Sequence, residues 1–283
     1  MQCPPSFELP VAASEPRETR EFVYELKFYV SEQSAAALLH WVRSRLAPDP
    51  HGTGAHGDSY RVSSIYFDTP SHDVLGRHGS FARSKYRVRR YGDGSEVYLE
   101  RKTRGAYRVF KRRSAIPAAA LPALLAAEPM RGWSGYWFHR RLLARRLAAV
   151  TRVDYQRIAR IGQSSYGPLR LTLDEALSAA PARELAFGAG SGAVALSHPG
   201  LILELKFGHA MPAVFKSLIR EFAPRLAGIS KYRLAAQALG LAPGLLAARA
   251  AAGLAGPAAD GAVECEPPPA SLGALAPLVP AAC

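Results

Sequence analysis

Cysteine is scarce here and badly placed for holding a fold together. The chain of 283 residues has three, Cys3, Cys265 and Cys283, all near its ends, which excludes a disulfide framework or a cysteine-based zinc site at its centre. Long apolar runs are missing too: none reaches membrane-spanning length, and the opening stretch lacks a basic segment followed by an apolar one. Acidic residues are outnumbered, with 23 Asp and Glu against 36 Lys and Arg and a net charge of +13. That excess calls for an anionic partner, whether nucleic acid, polyphosphate, nucleotide or membrane surface. A reducing, cytoplasmic location is expected, with peripheral attachment at the inner face of a membrane as the alternative.

What is present divides the chain in three. Residues 1–20 are proline-rich and without period, as disordered segments are. Residues 241–283 collapse to Ala, Gly, Pro and Leu, and set only Arg249 against Asp260, Glu264 and Glu266. A disordered tail is expected there, broken by a short helix around 243–252. The excess positive charge therefore belongs to residues 21–240, and a hydrophobic share of 48% over the whole chain is enough to build a core.

Charge alternates with apolar side chains along the stretch from Lys85 to Arg113. Arg87, Arg89 and Tyr91 alternate with Tyr86 and Val88; after a Gly-Asp-Gly turn at 92–94, Tyr98, Glu100 and Lys102 alternate with Val97 and Leu99. Period two bounded by turn residues predicts a β-hairpin with one cationic face. A solvated face would look the same in one hairpin, but the pattern returns in Phe22–Val30, Tyr60–Thr69, Tyr107–Arg113, Arg152–Ile161, Leu169–Leu177 and Leu201–Phe207. Recurrence favours a shared polar interior.

Helices are expected from Ser31 to about Ala47, from Pro117 to about Glu128, then to about Ala149, from Pro212 to Phe222, and from Ser230 onward. An α+β fold follows, and about eight strands with their polar faces turned inward would suit a barrel just wide enough for side chains or one slim ligand.

The polar faces collect Glu25, Lys27, Arg87, Arg89, Glu100, Lys102, Lys111, Tyr155, Arg157, Arg170, Asp174, Glu204 and Lys206. Converging cations are unfavourable when empty, and a chain of phosphates relieves them through Arg forks and Lys point charges. A divalent cation bridging carboxylate to phosphate would give the few acids a role. Phosphoryl transfer needs this arrangement, since it asks for positioning and charge neutralisation.

The ordered set YELKF, SSIYFDT, YRVRRYG, YLERKTR, VFKRR, DYQRIA, LRLTLDEAL, LILELKF and GISKYR resembles the vacuolar transporter chaperone (VTC) domain, a family of the triphosphate tunnel metalloenzyme superfamily, over about residues 21–240. The resemblance implies a tunnel, an eight-stranded antiparallel β-barrel with helices packed around it, and a polyphosphate polymerase that uses ATP with Mn2+ or Mg2+. It implies Lys27, Arg87, Arg89, Lys102, Lys111, Arg157 and Lys231 as catalytic cations and Tyr155 and Ser230 as substrate contacts, to which the polar faces add Arg170 and Lys206. Glu204 is implied as the metal residue, with Glu25 and Glu100 as further candidates. Gly228 and Ile229 stand where the family's catalytic member has another basic residue, so weaker binding at the tunnel mouth is expected. Coupling to transport would need a separate membrane-protein partner. Three alternatives stay open: a metal-dependent triphosphatase, a non-catalytic polyphosphate-binding module, and nucleic-acid binding, against which the lack of stacking platforms counts.

Overall fold

A computed structural model describes residues 24–104, 109–182, 185–188 and 192–251. The expectations for residues 1–23, for the strand start at 107–108 and for the tail beyond 251 lie outside the described residues, as do the three cysteines.

Alternating sequence becomes strand. β1 (Tyr24–Val30) leads into α1 (Glu32–Arg43) and β2 (Ala47–Pro48). Ser31 caps α1: its backbone is extended and its hydroxyl accepts the Ser34 amide at 3.2 Å. β3 (Ser59–Asp68), the short α2 (Asp73–Gly76) and a 3-10 turn at Gly79–Phe81 precede β4 (Ser84–Tyr91), β5 (Glu96–Arg104) and β6 (Val109–Pro117). A 3-10 helix at Ala118–Leu125, α3 (Tyr136–Ala144), β7 (Ala148–Ser164) and β8 (Gly167–Pro181) follow. The described chain closes with β9 (Val194–Ala195), β10 (Leu201–Phe207), α4 (Ala213–Phe222), β11 (Arg225–Leu226), α5 (Lys231–Ala238) and α6 (Pro243–Ala251).

Three expected helices are cut short, each for a local reason. α1 stops at Arg43 because Ala47 and Pro48 pair with Ile161 and Arg160 of β7. The stretch after Pro117 is 3-10 rather than α, since Pro122 within it has no amide for an α-helical bond. α3 ends at Ala144: Arg146 turns left-handed (φ 50°), and the Leu147 amide reaches back to the Leu142 carbonyl at 2.9 Å, a Schellman closure. The residues released run straight into β7, so β7 and β8 form a hairpin longer than 152–161 and 169–177.

All pairings are antiparallel, in the order β11-β1-β10-β8-β7-β3-β4-β5-β6, with β2 beside β7 and β9 beside β8. The expected closed eight-stranded barrel is thus a curled sheet of eleven strands, open between β6 and β11 among the described residues. The edge of β1 that a closing strand would use is taken by β11, through Phe28 opposite Leu226 and Tyr29 opposite Arg225.

Apolar faces turn outward and helices cover them. Phe28, Leu203, Leu205, Leu171 and Leu173 pack with Leu38, Trp41 and Val42 of α1 and Phe215 and Leu218 of α4. On the other side Ile65, Phe67, Val88 and Leu99 pack with Leu121, Leu124, Phe138 and Leu142. Leu245 and Leu246 of α6 lie against that second core, so the packed body extends past residue 240. With both apolar faces covered, the opposite face of each strand is left as a polar interior. No helix among the described residues is long and apolar enough to cross a membrane.

Candidate phosphate-binding tunnel

Register decides which charges share the interior. Across β4 and β5 Arg87 faces Glu100 and Lys85 faces Lys102; across β5 and β6 Glu100 faces Arg113 and Lys102 faces Lys111. Lys27 faces Glu204 and Glu25 faces Lys206 across β1 and β10, and Lys206 faces Arg170 across β10 and β8. Arg157 of β7 faces Asp174 of β8, and Ser64 of β3 faces Arg89. The sheet curls far enough for Lys102 of β5 to grip the Glu25 carboxylate of β1 at 2.9 and 3.0 Å, although these strands are distant in the ladder.

Carboxylates knit the cations into three groups. Glu25 also takes Lys27 at 3.0 Å, while Glu204 takes Lys206 at 3.0 Å and lies 3.9 Å from Arg157. Asp174, fully buried, receives both arms of Arg157 at 2.6 and 2.8 Å and Lys231 from the start of α5 at 2.5 Å. Glu100, with 2% of its surface exposed, holds Arg87 at 2.6 Å, with Lys111 and Arg113 each at 3.5 Å. Arg89 donates to the Ser64 hydroxyl at 3.0 Å and the Tyr155 hydroxyl at 3.1 Å, and the Lys231 ammonium sits 4.6 Å over the Tyr155 ring. Ser230 caps α5 and accepts from Lys85 at 3.0 Å.

These pairings fix protonation. Burial pushes the Glu204 carboxyl up and the nearby Glu25 carboxylate adds to that, yet Lys206, Lys27 and Arg157 outweigh both and hold it at about 2. Burial also raises Glu25, Glu100 and Asp174, and in each case the facing cations win and keep the group well below the usual carboxylate range. Burial lowers Lys27, but Glu25 and Glu204 carry it above an ordinary lysine. Tyr91 is pushed up by burial and by Glu100, while Arg89, Arg113 and Arg157 bring it down to about 8.

Each residue expected from the sequence is therefore on this interior face or at its rim, with two adjustments. One terminal nitrogen of Arg170 is engaged by Asp49 at 2.7 Å and by the Tyr60 hydroxyl at 2.8 Å, so part of its fork is held by a carboxylate of the chain. Glu25, Glu100 and Glu204 do not gather into a group of three or more possible metal ligands among the described residues. Glu100 is instead ringed by Arg87, Lys111 and Arg113. Lys85 and Asp49 are interior residues missing from the expected set. The alternation of Arg87 and Arg89 extends back to Lys85 and would have found it; Asp49 sits in a loop and has no such signal.

A family model, the VTC domain, matches residues 22–239. The chain belongs to the VTC domain family. Membership supports an activity on triphosphate or polyphosphate. No curated protein matches the VTC chain. Among solved structures it is similar to the Hippeastrum protein HpAC1, whose description reports a dominant triphosphatase activity, at 15% identity and a TM-score of 0.43 over 75% of this chain and 94% of that one. It is also similar to a candidate adenylate cyclase of Bacillus halodurans, at 16% identity and a TM-score of 0.44 over 72% of this chain and 90% of that one. The PH1819 protein of Pyrococcus horikoshii gives 15% identity and a TM-score of 0.42 over 75% and 97%. Likeness at this level carries no argument about what the VTC chain does.

Proposed function

We propose that the chain is a polyphosphate polymerase in which the terminal phosphate of a growing chain attacks the γ-phosphorus of ATP and ADP leaves. The observation that carries this reading is an interior face on which cations, among them Lys27, Arg87, Arg89, Lys102, Arg157 and Lys231, outnumber the carboxylates Glu25, Glu100, Asp174 and Glu204. The attacking phosphate is already an anion and needs no protein base. What it needs is neutralisation of like charge between nucleophile and γ-phosphate, together with alignment. Arg87, Arg89 and Arg157 offer planar forks for this, and Lys27, Lys102, Lys111 and Lys231 offer point charges. Tyr155, Ser230, Lys206 and Arg170 would orient the chain, and residues 21–240 would make up the functional domain.

Glu204 and Glu25 fit a divalent cation such as Mn2+ or Mg2+. They are hard oxygen donors on neighbouring strands, and Glu25 lies near enough for its charge to resist the ionisation of Glu204. Two carboxylates are few for a cation, so phosphate oxygens would complete the shell, as such ions prefer. When bound, the ion would supply further neutralisation of the transferring phosphate.

Hydrolysis of short triphosphates is a second reading, favoured by the Asp49 carboxylate on Arg170, a position that a threading chain would need. Purified protein with ATP and Mn2+, resolved for long-chain polyphosphate against free phosphate, separates the two. Polymer is the expected product, and metal-dependent turnover is expected to vanish in Glu204→Gln while the protein stays folded. Free phosphate alone would replace the polymerase with the hydrolase, and wild-type turnover in Glu204→Gln would remove the metal assignment.

A further inference from the structure

Lys85 differs from its neighbours on the interior face. Lys27 and Lys102 reach Glu25, Arg87 reaches Glu100, Lys206 reaches Glu204 and Lys231 reaches Asp174. The Lys85 ammonium reaches the Ser230 hydroxyl at 3.0 Å, and no carboxylate lies within ion-pair distance of it among the described residues. Lys85 stands opposite Lys102 across β4 and β5, and the charges that bear on it most are cations: Lys27 of β1, Lys102 of β5, Arg77 after α2 and Arg233 of α5. A half-buried amine among cations, held among the described residues by a hydroxyl, is a place where an anion is missing. Ser230 also accepts the Arg233 amide at 3.4 Å, so the first turn of α5 opens onto the same spot.

We propose that Lys85 is a further phosphate ligand of the tunnel, and that binding of a phosphate chain there is coupled to uptake of a proton at its Nζ. The inference rests on the phosphate-binding reading of the interior. In the empty tunnel burial, and then Lys27, Lys102, Arg77 and Arg233, press the ammonium well below its ordinary range. A phosphate oxygen beside Nζ supplies the counterion that the fold withholds and favours the charged form. The proton comes from the buffer acid, which is left as its conjugate base. Binding must then strengthen as pH falls, from the range where the loaded amine loses its proton to the range where the empty one does, and be flat below that.

Long-chain polyphosphate is the probe, because its internal phosphoryl groups are strong acids that do not titrate near neutrality. Calorimetric titrations in buffers of different ionisation enthalpy read proton uptake directly. Wild type is expected to take up a proton on binding, seen as heat that varies with buffer. Lys85→Arg, permanently charged, should bind without uptake and with a flattened pH profile, and Lys85→Met should bind more weakly, also without uptake. A merely structural lysine would leave proton uptake unchanged in Lys85→Arg, and that result overturns the inference alone. A wild-type protein that does not bind polyphosphate overturns the tunnel reading and this inference with it.

Discussion

Two adjacent arginines show how position along a strand separates roles. Arg89 points inward to Ser64 and Tyr155, whereas Arg90 points the other way, donates to the Phe187 carbonyl at 2.7 Å and lies 5.1 Å from the Phe187 ring. Arg90 is therefore a fastener for the 185–188 segment rather than a plain surface residue. Arg87→Ala and Arg89→Ala should each remove a charge-assisted contact of about 1.5–3 kcal/mol, roughly ten- to a hundred-fold in kcat/KM for ATP. Arg90→Ala should leave kcat/KM nearly unchanged and cost about 1 kcal/mol of stability. Kinetics and urea unfolding on the three variants check this, and equal kinetic damage at position 90 would mean that the register is wrong. The sides taken by residues 87, 89 and 90 were legible from alternation alone. The partner of Arg90 was not, because Phe187 lies far along the chain in a stretch without period.

At the scale of elements, β10 depends on how it is entered. Gly200 has φ 134°, and a methyl group there would collide with the Val30 carbonyl at the end of β1. Only glycine satisfies both constraints, and the register that sets Glu204 opposite Lys27 starts from this close approach. Gly200→Ala is expected to destabilise the fold by on the order of 1–3 kcal/mol, with β1 and β10 losing amide-exchange protection before β4 and β5. Uniform loss of protection would show that the effect is global. The strands themselves were readable because polar and apolar residues alternate. Helix ends were less so: α3 stops through a left-handed arginine, a conformation usually read from glycine, and nothing in RRLLARRLAAV marks it.

Over the whole molecule, the buried carboxylates tie stability to acid. Glu204 titrates at about 2, and Glu25, Glu100 and Asp174 are held down as well. Groups depressed in the folded state contribute stability that is complete above their unfolded values of about 4 and is lost as pH falls through the folded ones. The urea midpoint should therefore fall steadily between roughly pH 4 and 2. A midpoint independent of pH across that range would mean the pairs do not hold the interior together. Glu100→Gln should move the profile, because it removes a carboxylate charge that Arg87, Lys111 and Arg113 share.

By itself the sequence determined the eight long strands, the cationic face and nearly all the residues on it, since alternation and charge are local properties that survive in a one-dimensional string; the two-residue strands β2, β9 and β11 carry no such signal. Only the tertiary structure decided which carboxylate answers which cation. Among the described residues it left the ladder open beside β11, set Asp49 on Arg170 and left Lys85 opposite Lys102 with no acid within ion-pair distance. Those outcomes depend on curl and stagger between strands far apart in the chain. Coulomb energies follow distance in space, and sequence spacing does not report it.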